Sequence, residues 1–250
     1  MVSRKQLANT LKITGQELAE QFASEGIDFD MVDQDTMKLR SPRAVTELPG
    51  FSEGLFSVQD ITTSMLAKVL IPGVDWKILD LCAAPGGKTI LAAQMTMGKA
   101  RITATDIDGL RLQKVRENVE RLQLKCVTVV DYEKLDRAEK FDCVVVDVPC
   151  SNSGVLSRRV EVRFRITEAV LNELVKTQKQ ILREAADMVT AGGVIVYSTC
   201  SIAREENSGQ VRDFLDGQSN YRIETEVLTL PEPEPVSCDG GYVAVIRKNG

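Results

Sequence analysis

The chain has 250 residues, 43% hydrophobic and 27% charged, with a net charge of −5; this is the make-up of one globular domain with a small attachment, able to bury a core without disulfides or a structural metal. No apolar run approaches the roughly 20 residues that span a bilayer, and the polar start lacks a signal core, so the expectation is a cytoplasmic protein. Histidine is absent, which excludes Ser-His-Asp and Cys-His hydrolases and, with no C-x-x-C pair, argues against a zinc site.

In chain order, residues 7–25 carry the apolar spacing of an amphipathic helix, with Gly26 as its stop. Residues 31–40 suit short strands, and residues 51–70 a loop followed by a helix. Residues 1–50 therefore read as an N-terminal α/β extension, able to contact a nucleic acid, ahead of a main domain over residues 51–250. From Trp76 the rhythm changes to strand and helix in alternation. Strands are expected at 77–81, 101–106, 126–130, 141–147, 193–198, 221–229 and 242–247. Helices are expected at 89–97, over a segment carrying Leu110, Val115, Val119 and Leu122, at 166–189 (ended by Gly192 and Gly193) and at 208–215. This alternation predicts a doubly wound, mostly parallel seven-stranded α/β sheet. The only Pro-rich stretch, 230–235, reads as a surface loop.

In such a sheet ligands sit beyond the carboxyl ends of the strands, near the point where strand order reverses. The first strand runs into Cys82, Ala83, Ala84, Pro85, Gly86, Gly87 and Lys88 before a helix. Glycines there let a ligand approach the backbone and the helix start offers free N–H donors, although a plain tight turn would look alike. A nucleotide-triphosphate loop needs glycine where Cys82 stands, and the dinucleotide fingerprint is absent. Asp106 ends the second strand and can accept from two ribose hydroxyls; Asp131, beyond the third, can meet an adenine amino group, or either acid can be a cap. The fourth strand ends Asp147-Val-Pro-Cys150 and the fifth Ser198-Thr-Cys-Ser201.

The six cysteines (82, 126, 143, 150, 200 and 238) scatter through strand segments as reduced thiols do. Most such residues are inert core side chains, but Cys150 and Cys200 end two strands expected to be neighbours. A thiolate is a strong nucleophile toward an electron-poor ring, Asp147 can stabilise the charge that builds up there, and Lys88 is a candidate neighbour to lower a thiol pKa. Spacing alone does not rank the two cysteines. Arg158, Arg159, Arg163 and Arg165 form a local basic cluster, read either as a solvated loop or as an RNA-contacting face, in a chain whose overall charge does not favour nucleic acid.

Several separated motifs, in order over about residues 45–248, resemble the RNA 5-methylcytosine methyltransferase family that includes bacterial ribosomal RNA enzymes and the eukaryotic NOL1/NOP2/Sun proteins. They are FSEGLFSVQD (51–60), the segment 80–89, Asp147-Val-Pro-Cys-Ser151, Ser198-Thr-Cys-Ser201, Glu205-Glu-Asn207 and Asp239-Gly240. The resemblance implies a Rossmann-like class I methyltransferase that moves a methyl group from S-adenosylmethionine to carbon 5 of cytosine in RNA, ribosomal RNA by the commonest bacterial case. It implies that residues 82–88, Asp106, Asp131 and Asp147 hold S-adenosylmethionine, with Asp147 also near the base. It further implies that Cys200 is the nucleophile and that Cys150 assists product release. No metal and no membrane are implied. After Gly154-Val-Leu156 the chain departs from the family's usual loop, which bears on substrate preference, and the resemblance leaves target capture to the N-terminal segment, the arginine loop or an accessory protein. Three rivals remain: a DNA cytosine methyltransferase using Cys150, an inactive RNA-binding protein of the same fold, and a nicotinamide oxidoreductase.

Overall fold

The computed structural model describes residues 5–41, 43–59, 61–156, 159–231 and 239–250. Asp60, Arg158 and Cys238, all drawn into the sequence reading, lie outside them, as does most of the Pro-rich stretch. Strands β1 (Lys5–Ala8), β2 (Phe29–Met31), β3 (Thr36–Leu39) and β4 (Phe56–Gln59) form an antiparallel sheet in the order β2-β3-β1-β4. Helix α1 (Gly15–Ser24) packs Leu18 and Phe22 against Met37 and Phe56.

Two expectations for this region are corrected. The helix does not begin near Leu7, which lies in β1. It begins after Thr14, whose hydroxyl accepts from the Glu17 N–H at 3.2 Å while the Glu17 carboxylate accepts from the Thr14 N–H at 2.9 Å; this reciprocal cap sets the first turn more firmly than upstream apolar spacing does. Residues 56–59 are a strand and not a loop, because they pair with β1 from Lys5↔Gln59 to Ala8↔Phe56. Gly26 (φ 65°) stops α1 as expected.

The second sheet has seven strands: β5 (Lys77–Asp80), β6 (Arg101–Ala104), β7 (Val127–Val129), β8 (Phe141–Asp147), β9 (Val189–Thr199), β10 (Tyr221–Thr229) and β11 (Gly241–Lys248), in the order β10-β11-β9-β8-β5-β6-β7. Strands β5 to β9 pair in parallel; β11 runs antiparallel to both β9 and β10. Helices α2 (Ile61–Val69), α3 (Gly87–Met95), α4 (Gly109–Leu122), α5 (Glu168–Met188) and α6 (Ser208–Leu215) cover its faces. The apolar run of β8 fits its place: Val144 and Val146 enter one core layer, Cys143 and Val145 the other. The chain winds outward from β5 through β6 to β7, then restarts at β8 on the other side of β5. The order reverses there, and a crevice opens beyond the ends of β5 and β8.

Gly192 and Gly193 do not end α5. The helix stops at Met188, Val189 is already extended (φ −80°, ψ 137°), and both glycines lie inside β9. The β8–β9 register shifts between the Phe141↔Val189 and Cys143↔Val194 pairs. A Cβ on Gly193 would stand 2.8 Å from the Asp142 carbonyl oxygen, so the glycines serve an irregularity in the sheet. Among the described residues no helix is long and apolar enough to cross a membrane.

The small sheet is fastened to the large one through buried polar contacts. The Asn9 amide donates to the carbonyls of Gly54 (2.9 Å) and Leu122 (3.2 Å), and Gln94 donates to Ala8 O at 2.8 Å. Arg121 donates to the carbonyls of Phe51 and Phe56 and lies 4.1 Å over the Phe51 ring. Gly54 has φ 69°, and a Cβ there would fall 2.0 Å from the Arg121 carbonyl oxygen. Gly54→Ala is expected to cost about 2–4 kcal/mol by combining an unfavourable backbone with that overlap. Urea denaturation checks it, and a loss below about 1 kcal/mol would mean that this seam is not tightly closed.

Candidate active site

A cavity of about 570 Å³ opens at the reversal point. From β5 the chain passes Asp80 and enters the glycine turn, where Gly86 (φ 110°) caps α3. Cys82, Ala83, Ala84, Pro85, Gly87 and Lys88 line the cavity, and Ala84–Pro85 is a cis peptide. Burial pushes the Cys82 thiol well above its ordinary pKa, so it stays protonated and acts as a small wall residue.

Asp80 is fully enclosed. Thr89 Oγ1 donates to its Oδ2 at 2.6 Å, while its Oδ1 has no partner. Desolvation raises its pKa to about 7, against the lowering effects of Thr89 and Lys88. Gln59 Oε1 is a second buried acceptor without a donor on the same cavity wall. Two unsatisfied acceptors beside a glycine turn leave room for a ligand that brings N–H donors, above all an ammonium group. Neither Asp80 nor Gln59 stood out as a ligand contact in the sequence. Their positions at strand ends were the available signal.

On the far side of β5, Asp106 accepts from the backbone N–H of Ala84 (3.1 Å) and of Asp108 (2.9 Å). It thereby ties the glycine turn to β6. Ile107, next in the chain, is 81% exposed. Asp131 is bound by Arg116 (2.6 Å) and Lys134 (2.8 Å), whose hydrogen bonds hold its carboxyl below the usual range. Neither Asp106 nor Asp131 lines the main cavity.

At the end of β8, Asp147 pairs in register with Ser198 of β9. Ser198 Oγ donates to its Oδ1 at 3.0 Å, and Lys88 Nζ, only 5% exposed, lies 2.7 Å from its Oδ2. The carboxylate is thus clamped on two sides at the cavity wall. Cys200 lines the same cavity. Cys150 does not line it, but its sulfur lies within reach of the Asn152 and Cys200 backbone N–H groups, and burial pushes its thiol up to about 12. The sheet therefore brings the two cysteines together, with Cys200 toward the cavity and Cys150 behind it.

Loops beyond the strands are locked to one another. Glu206, fully buried, accepts from Ser151 N (2.8 Å), Ser151 Oγ (2.5 Å) and Gln178 Nε2 (3.0 Å). Asn207 accepts from Thr199 Oγ1 and donates to Ser201 O. Gly154 N donates to Cys200 O at 3.0 Å, and Gly240 N to Gly154 O at 2.7 Å. The motif 205–207 pointed to this region, but not to Glu206 in particular. Of the arginine cluster, Arg159 reaches the cavity wall, Arg163 lies 4.7 Å over the Phe164 ring, and Arg165 is exposed.

The raised pKa of Asp80 has a definite stability signature. A carboxyl that holds its proton to about pH 7 when folded, but releases it near pH 4 when unfolded, stabilises the fold on the acid side. That contribution falls as pH rises from about 4 to 7 and is level beyond. Asp80→Asn removes the effect, so the stability difference between variant and wild type should shift in the variant's favour across this window, by up to about 4 kcal/mol. Urea denaturation at several pH values measures it; a difference constant with pH would show that Asp80 titrates normally.

The model of a family described as 16S rRNA methyltransferase RsmB/F matches residues 67–242. Ribosomal RNA small subunit methyltransferase B of Proteus mirabilis is 37% identical over 216 residues, covering 85% of this chain and 50% of that protein. Its counterpart in Yersinia pseudotuberculosis is 37% identical over 224 residues, covering 86% and 52%. The chain thus spans about half the length of the curated relatives it matches. Among solved structures, a methyltransferase homolog protein from Pyrococcus horikoshii has a TM-score of 0.79 at 26% identity, covering 99% of this chain and 87% of that one. With the match running from α2 through both cysteine loops to β11, the chain belongs to the RsmB/F family of 16S rRNA methyltransferases.

Proposed function

We propose that this protein transfers a methyl group from S-adenosylmethionine to carbon 5 of cytosine in RNA, with small-subunit ribosomal RNA as the substrate. The observation that carries the reading is the convergence of Cys200, the clamped Asp147 and the glycine turn on one cavity, with Cys150 directly behind. The cofactor fits the residues present. Asp80 Oδ1 and Gln59 Oε1 are open acceptors for its ammonium, residues 82–88 form a turn that admits close approach, and Asp106 and exposed Ile107 offer a polar and an apolar contact at the nucleoside end. Asp131 lies beyond this wall and serves there only if its pairing with Arg116 and Lys134 rearranges.

When bound, S-adenosylmethionine supplies an electrophilic methyl group. Carbon 5 of cytosine is too weak a nucleophile to accept it unaided. The Cys200 sulfur adds to carbon 6, and the electron pair of the ring double bond moves to carbon 5. Asp147, held by Lys88 and Ser198, accepts from the exocyclic amine and from N3, which takes up the proton that the Cys200 thiol gives up on adding and loses it again on release. For release, a base takes the proton from carbon 5, its bonding pair re-forms the double bond, and the Cys200 sulfur departs. Cys150, kept as a thiol by burial, is the proton donor to that sulfur. Target capture rests on the arginine segment, with the N-terminal sheet or an accessory protein as further contributors.

Cys200→Ala is expected to lower methyl transfer by at least about a thousandfold and to abolish covalent capture of RNA containing 5-fluorocytosine. Cys150→Ala is expected to retain capture and to accumulate a covalent complex on ordinary RNA, seen as a slow-migrating band under denaturing conditions. The same sequence as DNA should accept no methyl group. Capture lost in Cys150→Ala but kept in Cys200→Ala would exchange the two roles.

A further inference from the structure

Beyond the cavity, the segment from Arg159 to Arg165 has a surface that the reaction itself does not use. A 3-10 turn, Val160–Phe164, is pinned by the buried side chain of Val162 and by backbone bonds Val162 N→Arg159 O (3.0 Å), Arg165 N→Val162 O (2.9 Å) and Ile166 N→Val162 O (3.1 Å). It is joined to the cavity wall, since Arg159 N donates to the carbonyl of Val155 and both residues line the cavity. Everything else on the turn faces outward. Phe164 is 76% exposed and Val160 50%. Among the described residues no carboxylate lies within ion-pair distance of Arg159, Arg163 or Arg165.

An exposed phenyl ring among unpaired guanidinium groups suits neither a protein core nor an ordinary solvated loop. A protein interface would bury the apolar side chains but leave three cations desolvated without partners. Single-stranded RNA satisfies both features, because every base offers a flat face to an aromatic ring and every phosphate a charge. Arg163 lies over the Phe164 ring at 4.7 Å, and the exposure of Phe164 leaves its opposite face open. With a rise of about 2.0 Å per residue, the turn sets Phe164 roughly 10 Å from Arg159, within reach of a nucleotide next to one held in the cavity.

We propose that Phe164 is the stacking platform for a nucleobase flanking the target cytosine, with Arg163 against its other face and Arg159 and Arg165 on the phosphates. The inference rests on the RNA reading of the site and names how that site takes its substrate. Phe164→Ala is tested on the whole chain with unmodified small-subunit ribosomal RNA. KM for RNA should rise about tenfold, as for one lost base–aromatic stack, while kcat stays within twofold and the affinity for S-adenosylmethionine and the melting temperature are unchanged. In a parallel measurement, Phe164→Trp is titrated with a 12-nucleotide single-stranded RNA. Its emission, above the constant background of the single native tryptophan Trp76, should be quenched by this RNA and not by one with abasic sites beside the cytosine. A KM within twofold of wild type, equal quenching by the abasic RNA, or no binding of the 12-nucleotide RNA would each overturn the platform. If the wild type transfers no methyl group to RNA while the base-dependent quenching persists, the platform stands and the methyltransferase reading falls.

Discussion

The site depends on one parallel pairing, β8 with β9, and on the buried carboxylate that extends its order past the ends of the strands. Register sets Asp147 beside Ser198, but the backbone ladder ends there and both cysteines lie beyond it. Glu206 continues the connection. It sits on the loop after Cys200 and accepts both the N–H and the hydroxyl of Ser151, the residue after Cys150, while Gln178 of α5 bonds the same carboxylate and also the Pro149 carbonyl. A charge so deeply placed is tolerable only when its lone pairs are filled. The cost of leaving it unpaired holds the two loops at a fixed separation, which hydrophobic packing of their few exposed residues would not do.

The same logic runs through the rest of the rim. Asp106 uses its carboxylate to bind the backbone of the glycine turn, and Asp147 is fixed by Lys88 and Ser198 before any substrate arrives. Asp106 and Asp147 are thus partly committed to internal partners, while Oδ1 of Asp80 stays open on the cavity wall. Such preorganisation means that the groups need not reorient in the reaction, where reorientation would cost most.

Much of this was legible in the sequence, because the seven-stranded sheet is written in local patterns. The run 141–147 is apolar on both faces, α4 repeats its apolar residues at helical spacing, and each strand hands its last residue to one rim, so the topology placed Asp106, Asp147, Cys150 and Cys200 before any coordinates did. What stayed hidden depends on partners distant in the chain. Strand β4 exists because β1, some fifty residues earlier, offers it an edge. The start of α1 was fixed by a two-residue cap against the pull of a longer apolar pattern. The glycines at 192 and 193 read as a helix stop because a bulge in a parallel pair has no sequence signature of its own. Glu205 and Glu206 are indistinguishable as letters; a single 3-10 turn buries one and exposes the other.

The net charge of −5 is compatible with the proposed RNA substrate because of where the charges are spent. Several cations elsewhere are neutralised at home: Arg116 and Lys134 on Asp131, Arg247 on Glu224, Lys77 on Glu139. Among the described residues Arg159, Arg163 and Arg165 have no such partner, and Arg159 lines the cavity. A fully basic surface would gather any polyanion and release it slowly. A chain that is acidic overall and basic at one rim is repelled by nucleic acid except in the orientation that presents that rim, so its charge pattern selects a pose more than it adds affinity.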